Sequence, residues 1–378
     1  MSNLASSVPQ AMAPIAFGLA TVGVSDRIDV GAAMMTTMVG AQVVAAVPIA
    51  RFARRVEMSH GRLLRLLVLF RGLMLAGLML AVLADAGIPL LLGMAALSGL
   101  TYGTVAGLLR AVVNGMVEAR SLPRMLAILA TLNELMFVAG PVLAATLGEV
   151  SIGTALGIMA LAAALPAVLL PPISTSAHVE HAVSGRGLLP SAKPGFMLWL
   201  VAAGVGTAAI VGIEIGSVAL AVSYDLPPAR ALVIVIPLCL ASITGGLIIS
   251  VRGRQPRIRS VVAMLTLTTA GLVLIALAPS LTVAIAGTVL VGLCVAPLAT
   301  FYSLILDQLL PPSRRVEGFA LLRTSQALGI VAVGALLTLT SPSIALGSAA
   351  GTILLVILWV AATYLPPQRP GSTDVITT

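Results

Sequence analysis

Apolar residues fill this chain in runs of about twenty, separated by short polar punctuation, from Pro9 to Leu365. The runs do not alternate with period two and show no broad polar face, so they read as helices that are apolar all round. Twelve spans are predicted, at roughly 9–25, 29–50, 64–86, 88–112, 122–148, 151–171, 195–223, 228–251, 260–278, 281–309, 317–340 and 343–365. Each is long enough to cross a hydrocarbon core about 30 Å thick. With no water in that core, the backbone must bond to itself, which a helix does and an open strand does not. Barrel strands are excluded by the length of the runs and by their lack of alternation. Several spans are longer than the core requires, which implies tilt or projecting ends.

The polar positions sort by side. Arg51, Arg54, Arg55, Arg62 and Arg65 mark the 2–3 connection, and Arg110, Arg120 and Arg124 the 4–5 side. Arg186 and Lys193 lie in the central connection, Arg252, Arg254, Arg257 and Arg259 in the 8–9 turn, Arg314 and Arg315 in the 10–11 turn, and Arg369 in the tail. The alternate connections offer Arg27 and Arg230 beside Asp26, Asp29, Asp85, Glu149 and Asp225. Basic residues concentrate in cytoplasmic loops, so both termini are expected in the cytoplasm of a plasma (inner) membrane protein. Residues 173–194 are rich in Ser, Gly and Pro and read as a cytoplasmic linker. They divide a first six-helix bundle (1–172) from a second (195–366), with a tail at 367–378. A shift of 194 lays Gly140 over Gly334 and Arg120 over Arg314, a faint internal repeat.

Composition agrees with a membrane protein. Of 378 residues, 59% are hydrophobic and 9% charged, too few charges to coat a soluble globule. The net charge of +8 is spent on the loops, and no basic tract with interleaved aromatics supports nucleic-acid binding. Cys239 and Cys294 sit inside apolar runs and read as small core residues. The first apolar run is full length and has no basic region before it, so it reads as a retained helix rather than a cleaved leader.

Charged residues at membrane depth are costly and each needs a reason. Glu134, in LNELMFVAGP, and Glu214, in GIEIGSVALA, stand near the middle of spans 5 and 7. Either is a candidate for proton coupling or substrate binding in a cavity. For Glu134, Asn133 and Thr131 offer an alternative in a structural hydrogen-bond cluster. Arg71 lies about two turns inside span 3, where an arginine snorkels to the interface. Arg323, with Glu317, Thr324, Ser325 and Gln326, lies on a helix expected to face the cavity. Asp307 is placed in a cytoplasmic charge network. Gly140-Pro141 can bend span 5, while Gly93, Gly99, Gly103 and Gly107 allow close packing of span 4. His178 and His181 are too few to make a metal site. The chain holds no Walker-type loop, no HExxH or CxxC pattern, no selectivity-filter segment and no nucleophile with a credible histidine partner, so no enzyme, cofactor or metal is expected.

LNELMFVAGPVLAATL at 132–147 resembles the fifth-helix segment of bacterial efflux members of the major facilitator superfamily, with Gly140 and Pro141 at the core of the antiporter motif. GIEIGSVALA at 212–221, ASITGGLIISVRGR at 241–254 and LLPPSRRVEGFALLRTSQALGIVAVGALL at 309–337 are similar to that branch's seventh, eighth and tenth-to-eleventh regions. The 2–3 loop keeps Gly61-Arg62 but lacks the family's Asp, and Tyr102-Gly103 stands about where the family often has a fourth-helix arginine. The resemblance implies an all-α fold of two six-helix bundles around a central cavity that opens alternately to each side. It also implies a small-molecule substrate, a proton as coupling ion and a lipid-embedded monomer. Export of a small, partly apolar molecule is the leading expectation. A metabolite importer of the same fold and a non-transporting membrane sensor are the alternatives. Glu214, Glu134, Asn133, Arg323 and Gln326 would line the cavity. Gly140, Pro141, Gly103 and Gly107 would serve movement, and Arg51, Arg54, Arg55, Arg62, Arg120, Arg314, Glu317 and Asp307 would gate the cytoplasmic face.

Overall fold

The computed structural model describes residues 2–25, 28–55, 60–105, 108–109, 136, 139–169, 195–252, 257–310 and 315–364. Their helices are α1 (Ser2–Ser25), α2 (Ile28–Arg55), α3 (His60–Leu83), α4 (Ile88–Leu100, helical again to residue 105), α5 (Ala139–Val150) and α6 (Ile152–Ala164, followed by the short helix Pro166–Leu169). They continue with α7 (Phe196–Ser223), α8 (Leu232–Arg252), α9 (Ile258–Ala276), α10 (Leu281–Leu309), α11 (Arg315–Leu339) and α12 (Pro342–Tyr364). Among the described residues, nine helices are long and apolar enough to cross a membrane. The chain is a multi-pass membrane protein.

Local chemistry sets the helix ends. Asp85 and Asp225 take positive φ (49° and 57°), a region that Asp tolerates better than most residues. Each lets the chain fold back, so that the next amide bonds a carbonyl of the last turn: Ala86 N–H to Ala81 O at 2.9 Å and Leu226 N–H to Ala221 O at 3.0 Å. The Ser151 hydroxyl accepts from the Gly153 N–H at 3.2 Å and starts α6. One boundary differs from expectation. Arg51, Arg54 and Arg55 are not in a connection but close α2, and Arg62 and Arg65 lie in the first turns of α3. Positive charge at a helix C-terminus is favourable, so α2 can run on past the apolar span.

The outward faces are apolar. Leu73 is 65% exposed, Leu355 65% and Leu247 60%, each on a different helix. Such a surface is what lipid accepts and water does not.

Inward, the helices meet through residues without bulk. α2 packs on α4 and α8 on α10; α3 packs on α6 and α9 on α12. Gly99 meets the Met38 carbonyl and Gly245 the Leu293 carbonyl, so neither position has room for a side chain. A Cβ on Gly140 would stand 2.5 Å from that of Ala11, bringing α5 against α1. A shift of 194 residues also carries the starts of α1, α3, α4 and α6 to within four residues of the starts of α7, α9, α10 and α12.

The two halves of the chain meet through α1 on α7 and α2 on α11. A Cβ on Gly18 would lie 2.9 Å from Val218 Cγ2, and Gly334 sits directly against the Thr36 hydroxyl. Gly18, Val218 and Gly334 occupy the last third of their helices and Thr36 the first third, so these contacts lie toward the arginine-poor side. The cores repeat that asymmetry. On the arginine-poor side one core runs from Met12, Phe17 and Met34 to Val218, Val333 and Leu337 across both halves. Leu63, Leu64, Val105 and Leu109 form a small cluster at the other end, and a further cluster runs the length of the second half, from Trp199, Phe301 and Leu322 to Ile275 and Leu346.

Gly245→Val, within one half, should lower the apparent melting temperature of the purified protein, because overpacking of this kind costs about 1–3 kcal/mol. Gly334→Val should instead part the halves. With Cys239 and Cys294 replaced by Ala, a cysteine at Ala32 (6% exposed) should become reactive to a polar maleimide only when Gly334→Val is also present. Equal reactivity with and without it would contradict the assignment of this contact as a seal.

Candidate functional site

α7 is the most enclosed of the membrane-length helices among the described residues. A helix advances 100° per residue, so Ala203, Thr207, Ile210 and Glu214, spaced four, three and four apart, share one face. The first three line a cavity of about 40 Å³ together with Gly206, Thr268 of α9, Tyr302 of α10 and Gln326 of α11. Aliphatic side chains such as Leu265, Val291, Leu298 and Ile353 make the rest of its wall.

The polar lining is neutral. The Thr207 and Thr268 hydroxyls donate back to their own helices, to Ala203 O and Met264 O at 2.9 Å each, and Thr268 also meets the Cys294 thiol. Tyr302 is 4% exposed and its hydroxyl has no hydrogen-bond partner among the described residues. The Gln326 Oε1 accepts from Arg323 Nη1 at 3.4 Å, and Arg323 is exposed. An aromatic group supports this side of the cavity. Trp199 meets Phe301 edge-on at 4.9 Å and donates from Nε1 to the Tyr364 hydroxyl at 3.1 Å, tying α7 to α10 and α12.

Glu214 continues the same stripe, about 6 Å along the axis from Ile210. It is half-buried. The Ser217 hydroxyl bonds its backbone carbonyl at 2.7 Å, and no described residue forms an ion pair or hydrogen bond with its carboxylate. One turn further on, Val218 enters the contact with Gly18 that joins the halves. Glu214 therefore stands between the lined cavity and the seal.

Arg71 overturns the snorkelling expectation. It is 1% exposed, its Nη1 donates to the Ser6 carbonyl of α1 at 2.9 Å, and its guanidinium carbon lies 4.7 Å from the centre of the Tyr102 ring on α4. Snorkelling needs an outward-facing stem. Leu66, Leu69, Leu73 and Leu80 hold the outward face of α3, and Arg71 projects from the opposite one. Sequence reasoning could have found this: the leucines at i−2 and i+2 already assigned the lipid face.

The remaining expected residues are placed as follows. Gly140 and Pro141 are buried at the start of α5, Gly103 is partly buried beyond α4, and Arg62 is exposed. Arg51, Arg54, Arg55, Asp307 and Glu317 lie within helices, with side chains outside the described set. Glu134, Asn133, Gly107, Arg120 and Arg314, like the segment 173–194 and the tail 367–378, lie outside the described residues. Tyr302 was not singled out in the sequence, because one tyrosine in an apolar run gives no signal until its hydroxyl is seen to lack a partner.

A family model, the Major Facilitator Superfamily, matches residues 1–334. The chain belongs to this superfamily. It is a transporter by family rather than an enzyme. Solved structures share the fold across nearly the whole chain. A bacterial homologue of the human lysosomal transporter Spinster, inward-facing and occupied, aligns with a TM-score of 0.68 at 14% identity, covering 98% of each chain. The nucleoside transporter NupG, in a mutant form, gives 0.68 at 11%, covering 96% of this chain and 99% of that one. The peptide transporter POT in complex with sulfate gives 0.68 at 15%, covering 96% and 94%. At these identities the likeness concerns the fold alone. No curated protein matches the sequence.

The geometry predicts a reactivity profile along α7 of this superfamily member. Cysteines at Thr207, Ile210 and Glu214 should react with a small polar thiol reagent, while cysteines at Val218 and Ala221 (both 0% exposed) should not. Uniform protection of all five positions would mean that the stripe does not face an aqueous path.

Proposed function

We propose that the protein is a secondary active transporter that exports a small, partly apolar molecule by proton-coupled alternating access. In this reading twelve spans form two six-helix bundles, 1–172 and 195–366, joined by the 173–194 linker. Both termini are cytoplasmic, and the chain works as a monomer in the inner membrane. The observation that carries the proposal is Glu214: a half-buried carboxylate without a cationic partner among the described residues, placed between a lined cavity and the seal of the two halves. In low-dielectric surroundings such a group is stable when protonated and costly when charged. Opening to water on either side reverses that balance, so the position can exchange a proton as access alternates.

The contacts between α1 and α7 and between α2 and α11 support an inward-open state, since they join the halves on the side away from the arginines. Movement to the other state would part these contacts and bring the cytoplasmic ends together. Arg51, Arg54, Arg55, Arg62, Arg120 and Arg314, with Glu317 and Asp307, would act at that face as a charge gate. Gln326, held by Arg323, and the Tyr302 hydroxyl offer hydrogen bonds to cargo within an otherwise aliphatic wall. Glu134 and Asn133 are the matching candidates in the first half, and Gly140-Pro141, Gly103 and Gly107 the points at which helices shift.

Glu214→Gln should insert and fold normally. In proteoliposomes loaded with a pH-sensitive dye and screened with a compound panel, it should lose cargo-dependent proton movement by tenfold or more. Coupled flux equal to that of the unaltered protein would reject the role of Glu214.

A further inference from the structure

Arg71 lies near the middle of α3 with 1% of its surface exposed. Part of its guanidinium is accounted for. Nη1 donates to the Ser6 carbonyl at 2.9 Å, and one face lies over the Tyr102 ring at 4.7 Å. These contacts fix the group against α1 and α4. The other two nitrogens, Nε and Nη2, are buried and have no hydrogen-bond partner among the described residues.

Those two nitrogens form one edge. In a guanidinium the Nε–H and the adjacent Nη2–H run parallel, spaced to match two oxygens of a carboxylate or of a phosphate. A purely structural arginine in lipid-level surroundings gains by spending its donors on carbonyls, because unpaired N–H groups on a buried cation are among the costliest features a span can hold. Here the fold uses one nitrogen and one face to aim the group and leaves the whole side-on fork unpaired. A lysine could serve as a point charge but has no such fork.

We propose that Arg71 is an anion-recognition site, and that its Nε–Nη2 edge takes the acid group, a carboxylate or a phosphate, of the molecule that the protein moves. The ligand is a small organic acid or organophosphate, whose paired oxygens match the two parallel N–H groups. Tyr102 covers one face of the guanidinium, so the in-plane Nε–Nη2 edge is the side left for the acid group. The assignment of the ligand as cargo rests on the transport reading above; the binding of an anion at Arg71 does not.

The test uses the full chain in phosphatidylcholine nanodiscs at pH 7.5, with chloride adjusted to constant ionic strength. Probes are benzoate, phenylphosphonate and the neutral isostere benzamide, read by thermal unfolding, since a ligand of the folded state raises apparent stability with its concentration. Benzoate and phenylphosphonate should stabilise the protein and benzamide should not. Arg71→Lys, which keeps the charge and most of the stem, should weaken the response about ten- to hundredfold, the cost of losing charge-assisted hydrogen bonds. Arg71→Gln should abolish it. The proposal is overturned if benzamide stabilises as well as benzoate, or if Arg71→Lys responds like the unaltered protein. It is also overturned if phosphatidylglycerol in the disc stabilises through Arg71 while benzoate does nothing, which would make the ligand a lipid phosphate. None of these readings depends on proton-coupled flux, so the site and the role of Glu214 fail separately.

Discussion

A hydrocarbon slab offers no hydrogen bonds, and that single fact governs this structure. Backbone groups answer it by forming helices. Hydroxyl side chains answer it by bonding back one turn, as Thr207, Thr244, Thr268, Thr288 and Thr352 each do at 2.8–2.9 Å. After those needs are met, a short set of polar atoms within the spans lacks a described partner, with Tyr302 Oη and Arg71 Nε and Nη2 among them. The Glu214 carboxylate belongs beside them by chemistry, though it keeps some exposure. In a soluble protein a water could silence any of these groups. In a bundle that must also move, each is a point where a ligand or a proton changes the energy of one state relative to another.

Motion in turn depends on where the packing is tight. Within each half, glycines such as Gly99 and Gly245 press against backbone carbonyls that cannot retreat, so those pairs move as units. Between the halves, the partners of Gly18 and Gly334 are side chains, Val218 and Thr36. Side-chain contacts of this kind can be exchanged for lipid or water at modest cost, whereas a backbone-to-backbone seam cannot be opened without exposing carbonyls. The same residue type therefore does two jobs, and what it touches decides which.

Much of the fold was legible because membrane helices are written in length and hydropathy. The expected spans 195–223, 281–309 and 343–365 fall within a residue of α7, α10 and α12. The arginine ends of α2 and α3 were not legible as helix, because charge marks the edge of the bilayer and not the edge of a helix. The membrane depth of Glu214 could be read from its position in the run, and its lack of a described cationic partner agrees with the apolar sequence around it. Arg71 was misjudged because depth was weighed without direction: two turns from an end, an arginine can reach water only if it faces outward, and the leucines two positions either side had already claimed that face. Gln326 is legible in the sequence as a cavity residue, whereas Tyr302 needed three dimensions, since their common cavity gathers residues from five helices.

Direction also bears on how charge is shared between the halves. Arg71 belongs to the first half and is fixed by α1 and α4; Glu214 belongs to the second, on the helix whose end seals against α1. A cation held rigidly and a carboxylate held at a boundary do not have interchangeable uses. The rigid group can define what binds, because its geometry is the same in every state in which α1, α3 and α4 stay together. The boundary group can report which side is open, because its solvation changes when α7 parts from α1. Recognition and coupling thus separate by anchorage.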